Sequence, residues 1–452
     1  MNIAVIKTKA ESQLAEQFEK AAPSLPGGGW VPAARKAAFG AFASRGLPHR
    51  RIEEWKYTDL RNLMKEAFSP AHPGDRPFDR SMLDATLGAS LAKLECIRLV
   101  FVNGAFRKDI SSLGYGHGKA YHFDSLSEVL ARGGFDWMKP HFGDATLGAI
   151  QALNTAMMTD GTVLRIVDGA RLEKPIHLVF FADAGAPAGI TTRNLIEAGR
   201  DAHAVILESH VGPGNTARQS NSMTEFAVKD GANVAHIKLV AEGSGATHLG
   251  AWNTHIGANA TYRGYQMTSG TGLVRNEIGI TFGGSGGKLD LSGCFLGRGT
   301  DHIDTTLTVD HAVPHCESRE LFKGVLDDRA RGIFQGKIIV RPDAQKTDGK
   351  QMAQVLMLSP DAEFDSKPEL EIYADDVVCG HGSTAAEIDP DLVFYCKSRG
   401  IPEDEARALL IESFIGEAIE KVEHEGIRAA FLDIARAWLK AGENGAQEKS
   451  RT

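Results

Sequence analysis

Cys379-Gly-His381 places a thiol and an imidazole two residues apart. The preceding Leu370-Glu-Ile-Tyr-Ala alternates as a strand, and in an extended segment residues i and i+2 share a face. A thiolate suits iron–sulfur chemistry, and an imidazole can replace it on one iron. Gly380 and Gly382 leave room for another backbone or an inorganic group. Two donors cannot hold a cluster alone, so this chemistry requires donors from a partner. The competing reading is a buried cysteine beside a hydrogen-bonded histidine. His311-Ala-Val-Pro-His315-Cys316 gathers further zinc-type donors, but no second ligand pair follows at zinc-site spacing. The plainer reading there is strand-edge and packing residues. Gly283-Gly-Ser285-Gly-Gly matches a hydrolase elbow, yet that motif enters a helix, whereas Lys288-Leu-Asp-Leu continues as a strand. Around Gly287-Lys288, Phe282 and Leu289 stand where a phosphate loop needs glycine and Ser/Thr. Gly212-Pro-Gly-Asn-Thr-Ala satisfies only a relaxed dinucleotide fingerprint, with Pro213 inside it and no helix behind it.

Those side chains must be carried by a sizeable framework. The chain has 452 residues, 42% hydrophobic and 24% charged, which fits a folded protein of two or three domains. A net charge of -8 argues against nucleic acid as a partner. No apolar run reaches the ~18 to 20 residues of a membrane helix, and MNIAVIKTKAESQ lacks the pattern of a secretion signal. Five scattered cysteines (Cys96, Cys294, Cys316, Cys379, Cys396) without a CxxC pair favour a reducing, cytoplasmic setting.

Patterning divides the chain into 1–150, mostly helical; 151–388, short strands; and 389–452, helical with a disordered tail from Gly442. Helices are expected over Ala10–Ala22, Pro32–Arg45 and Arg51–Phe68, with one strand-like run at Ile97–Val102. Beyond Asn154, apolar runs recur between glycine and polar turns: Val163–Val167, Ile176–Phe181, Ala204–Leu207, Val234–Val240, Ile278–Phe282, Thr305–Val309 and Ile333–Val340. Sandwich, barrel and parallel β-helix all fit such runs. Loose echoes (Gly199-Arg-Asp-Ala, Gly231-Ala-Asn-Val, Gly257-Ala-Asn-Ala) and the lack of Asn-Gly hairpin signals favour the β-helix. Pro402 and the acidic Glu403, Asp404 and Glu405 open a helix whose apolar stripe includes Ala406, Phe414 and Ile419.

Six strings taken together resemble one family. They are RIEEWKYTDL (Arg51–Leu60), LNTAMMTDG (Leu153–Gly161), Asp310–Gln335, AQKTDGKQM (Ala344–Met352), PELEIYADDVVCGHGS (Pro368–Ser383) and LVFYCKSRGIPEDEA (Leu392–Ala406). The chain resembles the SufB/SufD family of the Suf iron–sulfur cluster assembly machinery. Its Cys-x-His-Gly and its length are similar to the SufD branch rather than the SufB branch. The resemblance implies a right-handed parallel β-helix between helical ends, acting as a non-catalytic scaffold. It implies pairing with SufB and recruitment of the ATPase SufC, with a transient iron–sulfur cluster forming at the SufB junction beside Cys379 and His381. The isolated chain would hold no cofactor. The expected SufC-docking region lies between Ile388 and Val422 and includes Leu392, Phe394, Tyr395, Arg399, Glu403, Glu405 and Arg407, with Phe414 assigned to the core. An unpaired β-helix edge is compatible with a homodimer in isolation. The alternatives are a stand-alone metal-binding β-helix protein using His311, His315 and Cys316, or a carbohydrate-active β-helix enzyme.

Overall fold

The computed structural model describes residues 7–71, 77–114, 116–143, 148–183 and 185–449. The N-terminal helices are α1 (Lys9–Ala21), α2 (Val31–Arg45), α3 (Leu60–Leu63) and α4 (Arg80–Ala92). They are followed by β1 (Ile97–Val102), β2 (Ala105–Phe106), β3 (Tyr121–Ser125), α5 (Leu126–Ala131), α6 (Lys139–Gly143) and α7 (Ala149–Met157). Thr8 starts α1 with a capping box: its hydroxyl accepts from the Glu11 N–H while the Glu11 carboxylate accepts from the Thr8 N–H. Arg51–Phe68 does not form the long helix its composition favours. Trp55 is buried under the Arg275 guanidinium, 4.3 Å away, and Arg275 donates to the Glu54 carbonyl. Tertiary anchoring therefore overrides helix propensity, leaving a single turn at Glu53–Trp55 and the short α3.

The remainder is a parallel β-solenoid. Its strands are β4 (Thr162–Ile166), β5 (Ile176–Phe181), β6 (Ala188–Ala198), β7 (His203–Val211), β8 (Arg218–Val228), β9 (Asn233–Ala241), β10 (Gly243–Ile256) and β11 (Thr261–Ser269). They continue as β12 (Thr271–Phe282), β13 (Lys288–Gly297), β14 (His302–His311), β15 (Glu317–Leu326), β16 (Arg331–Val340), β17 (Asp348–Met357), β18 (Glu363–Ile372) and β19 (Val378–Ala386). Successive strands alternate between two sheets. One runs β18-β16-β14-β12-β10-β8-β6-β4-β3, and the other β19-β17-β15-β13-β11-β9-β7-β5-β1-β2. From β4 and β5 onward every ladder is parallel, so equivalent residues of successive coils stack. One such line runs Ile176, Ile206, His236, Gly264, Leu291, Glu320, Gln351, His381.

Turns stack as well. Asp201, Gly231, Asn259, Gly286, His315 and Lys346 are all left-handed, with φ from 53° at Asn259 to 75° at Gly286. Each passes its N–H to the turn of the next coil, as in Gly231 to the Ala258 carbonyl, Asn259 to Ser285 and His315 to Gln345. The glycine-containing echoes of the sequence are these turns.

The molecule is layered. An inner core that includes Ile206, Trp252, Tyr262, Leu291 and Phe334 fills the space between the sheets. Helices α1, α2 and α7 pack over the even-numbered sheet, with Leu249 in their shared cluster. Three C-terminal helices, α8 (Pro390–Lys397), α9 (Glu403–Ile419) and α10 (Glu425–Lys449), join α4 over the odd-numbered sheet. Two sequence-derived boundaries shift. β1 and β3 lie before residue 150 yet belong to the two sheets, because β1 pairs in parallel with β5 far along the chain. α10 continues to Lys449 despite Gly442, Asn444 and Gly445, because adding residues to a helix already formed is far easier than starting one. Residues 450–452 of the expected tail lie outside the described residues. Among the described residues no helix is long and apolar enough to cross a membrane.

Candidate functional site

The last coil, β18 and β19, ends both sheets and has no further strand paired on its outer side among the described residues. On β19, Cys379 stacks on Gly349 and His381 on Gln351. Gln351 and the neighbouring Ala353 are buried between the sheets, so Cys379 and His381 share the inner wall at the solenoid's open mouth. His381 is exposed because no coil covers it, while Cys379 is half-buried against the cluster of Ile338, Val340, Ala344 and Ala374. Burial raises the Cys379 thiol above its ordinary range. Gly380 stacks on Lys350 and faces the opposite, outer side of β19, where a Cβ would meet nothing within 4 Å. At Gly382 a Cβ would lie 2.6 Å from Met352 Cε, so that glycine permits close packing instead.

A cavity of about 430 Å³ lies against the outer face of this end of the sheet, lined by Asp290, Arg319, Lys350, Met352, Gly380 and Lys421, and it reaches the strand segments that carry the inward-facing Glu320, Gln351, Cys379 and His381. Glu320 is buried, neither carboxylate oxygen has a hydrogen-bond partner, and desolvation pushes its carboxyl up to about 8. Both polar atoms of the buried Gln351 amide are also unpartnered. Sequence reasoning passed over both residues. Their signal is register: each stands one or two coils before His381 on the same line.

The second donor cluster does not converge. His311 is buried and bonds Ser318 Oγ through Nε2 at 3.0 Å. His315 is an exposed left-handed turn residue, and the Cys316 thiol donates to the Gly284 carbonyl at 3.5 Å. Ser285 lies in a turn leading to β13, its hydroxyl donating to the Pro314 carbonyl, so no nucleophile elbow forms. Among the described residues, the donor atoms of His210, Glu242 and His248 do converge, to within 4.8 Å, inside the solenoid. There Glu242 already accepts from Ser220 and pairs with His248, His210 pairs with Glu208, and Lys238 neutralises Glu208. The arrangement is a buried hydrogen-bond network in which Glu208 and Glu242 are held ionised, Lys238 stands beside Glu208, and His248 Nε2 lacks a partner.

The expected docking residues occupy α8 and the start of α9. Asp389 caps α8 by accepting from the Asp391 N–H, with Pro390 in the first turn. Val393 faces the core, while Leu392, Phe394 and Tyr395 are 49%, 72% and 55% exposed. The Arg399 guanidinium covers the Tyr395 ring at 3.4 Å, and Lys397 pairs with Glu403 at 2.6 Å. Glu405 is exposed and Arg407 half-buried. Phe414 is partly buried against the core, with the Lys323 ammonium 4.3 Å over its ring.

Comparison with known proteins matches two family models along the chain. Residues 9–178 match the SufBD protein N-terminal region, and residues 180–414 match the SufBD core domain of the SUF iron–sulfur cluster assembly system. A SufBD-family iron–sulfur cluster assembly protein of Synechocystis is 30% identical over 86% of this chain and 86% of its own. The iron–sulfur cluster assembly protein SufD of Escherichia coli is 28% identical over 86% of this chain and 88% of its own. A chloroplastic protein of Arabidopsis thaliana, ABCI7, is 25% identical over 95% of this chain and 90% of its own. With its solenoid and both matched regions in place, the chain belongs to the SufBD family of iron–sulfur cluster assembly proteins.

Proposed function

We propose that this chain is a scaffold subunit of the Suf machinery that pairs with SufB through the open end of its solenoid. The observation that carries this reading is the placement of Cys379 and His381 on the inner wall of the last coil, where both sheets end in unpaired strand edges. An unpaired edge is a template for another chain's strand, and a partner docked there brings its donors to within reach of this thiol and imidazole. The nascent iron–sulfur cluster is then cargo held between two proteins, and this chain supplies geometry and up to two ligands. Ile372, Tyr373 and Val378, 42%, 59% and 60% exposed around the same end, suit the apolar centre of such an interface.

SufC, by this reading, docks on α8 and the first turn of α9. Leu392, Phe394 and Tyr395 supply an apolar centre, ringed by Arg399, Glu403, Glu405 and Arg407. ATP hydrolysis belongs to SufC, and the scaffold is non-catalytic. Two variants test the assignment in the reconstituted SufB–SufC–scaffold complex. His381→Ala is expected to cut cluster yield at least tenfold while leaving the complex assembled; full yield would overturn the site. Phe394→Asp is expected to release SufC in co-purification, a loss of roughly 2 kcal/mol or more if Phe394 is a central anchor. SufC retained at parental stoichiometry and affinity would move the docking surface elsewhere.

A further inference from the structure

The inner wall below His381 is polar for two coils and then closes. Along the stacking line, Leu291 is followed by Glu320, Gln351 and His381; on the neighbouring line, Ser318 is followed by Gly349 and Cys379. Glu320 and Gln351 are each 3% exposed and lack partners for all four side-chain polar atoms. Around them, the Ser318 hydroxyl lies between His311 and the Glu320 carboxyl and can serve only one of them with its proton, and Arg319 pairs with Asp348 at 2.6 Å. The Gln351 amide lies across the interior against Gly336 of the opposite sheet, where a Cβ would fall 1.7 Å from its Nε2. Buried polar groups in native proteins are nearly always paired, so four orphaned atoms at one place point to a missing occupant. Gly349 stands beneath Cys379, where the nearest atoms to an added Cβ would be Ser318 Oγ and Ile338 at the ordinary contact distances of 3.4 and 3.5 Å.

We propose that Glu320 and Gln351 extend the Cys379–His381 pair inward and that the four side chains bind a divalent cation of ferrous type. This rests on the assignment of Cys379 and His381 above and adds what lies beneath them. Neighbouring strands are about 4.8 Å apart, so Glu320 and His381 flank Gln351 on one line. The donor atoms of Glu320, Cys379 and His381 are not gathered within 4.8 Å of one another in this structure, so a cation level with Gln351 must draw the exposed His381 inward. One carboxylate, one amide oxygen, one imidazole and one thiolate form a mixed oxygen, nitrogen and sulfur set suited to borderline first-row metals rather than to calcium or magnesium. The site is thereby a place for iron at the mouth of the scaffold, with the deeper oxygen donors belonging to this chain alone.

The test uses the full chain, freed of metal and titrated with Co(II) under argon, because cobalt reports a thiolate ligand through its charge-transfer band. Saturation at one cobalt per chain is expected, with Glu320→Gln weakening binding at least tenfold and Cys379→Ser removing the charge-transfer band. Glu320→Gln is also expected to melt no lower than the parent, since it removes an unpaired buried carboxyl; this separates a ligand from a structural residue. Parental cobalt affinity in Glu320→Gln, or no saturable binding by the parent, would overturn the proposal. Cluster assembly by His381→Ala in the reconstituted complex is scored separately. Loss there beside parental cobalt binding by Glu320→Gln would keep the junction and discard the inner donors; full assembly there would discard the junction itself.

Discussion

At Cys379 geometry and electrostatics oppose one another. The strand turns the thiol toward the mouth beside His381, yet burial raises its pKa and keeps it protonated at neutral pH. A metal arriving there must displace the proton, so occupancy and deprotonation are linked. Two histidines elsewhere, the half-buried His302 and the buried His311, couple protons to stability in the same way. His302, bonded to Thr58 at 2.9 Å, and His311, bonded to Ser318, are both held down to about 4, chiefly by desolvation. In the unfolded chain each returns to about 6.5. Between these values the unfolded state binds protons that the folded state refuses, so stability is fully present above about pH 6.5 and falls as pH drops toward 4. Each histidine contributes at most ~3 kcal/mol to that fall. Melting temperatures measured from pH 8 to pH 4 should decline below pH 6.5, and His311→Gln should flatten the decline. An unchanged slope in that variant would remove His311 from the account.

The turns between the strands carry a comparable constraint. His315, at φ 61°, occupies the left-handed position that Gly231 and Gly286 fill in earlier coils, and its N–H bonds the Gln345 carbonyl of the next. A left-handed conformation costs an L-residue roughly 1–2 kcal/mol, least for short polar types and most for β-branched ones. His315→Gly should therefore stay within ~0.5 kcal/mol of the parent, whereas His315→Val should lose about 1–2 kcal/mol in urea unfolding. Equal losses in both would show that the imidazole itself matters. The same stacked turns explain why the solenoid was legible in the sequence: the echoes at Gly199, Gly231 and Gly257 fall at turn positions, and Ile176–Phe181 coincides with β5. Strands such as β8, Arg218–Val228, were less visible, because their buried faces carry Ser220, Ser222 and Thr224, satisfied by Glu242, by Thr192 of the adjacent strand and by Glu208. That Cys379 and His381 share one face was legible from spacing, but the position of Glu320 was not. Only the register between coils, which spacing along one strand cannot supply, brings it under His381.

At the scale of the whole molecule, the C-terminal helices are inseparable from the solenoid they cover. Ile411, Ile415, Phe431 and Trp438 share one buried cluster with Leu207, Ile237, Leu239, Tyr265, Met267, Leu296 and Val325 on the outer face of the odd-numbered sheet. Polar ties reinforce that contact: Lys323 with Glu417, Lys421 with Asp290, and Arg298 donating to the Trp438 carbonyl while lying 4.0 Å over its ring. Each large side chain freed from this interface forfeits about 1.5–3 kcal/mol, and the seven sheet residues would be left as one contiguous apolar patch. Removing 389–452 is therefore a poor way to map SufC binding, because loss of binding would follow from loss of fold. The truncated chain is expected to be aggregated or strongly dye-binding in an assay for exposed apolar surface, while Phe394→Asp, which alters an outward residue, should keep the parental melting temperature. A truncated chain that is soluble, monomeric and melts with the parent would make 389–452 an independent domain and its deletion a fair test after all.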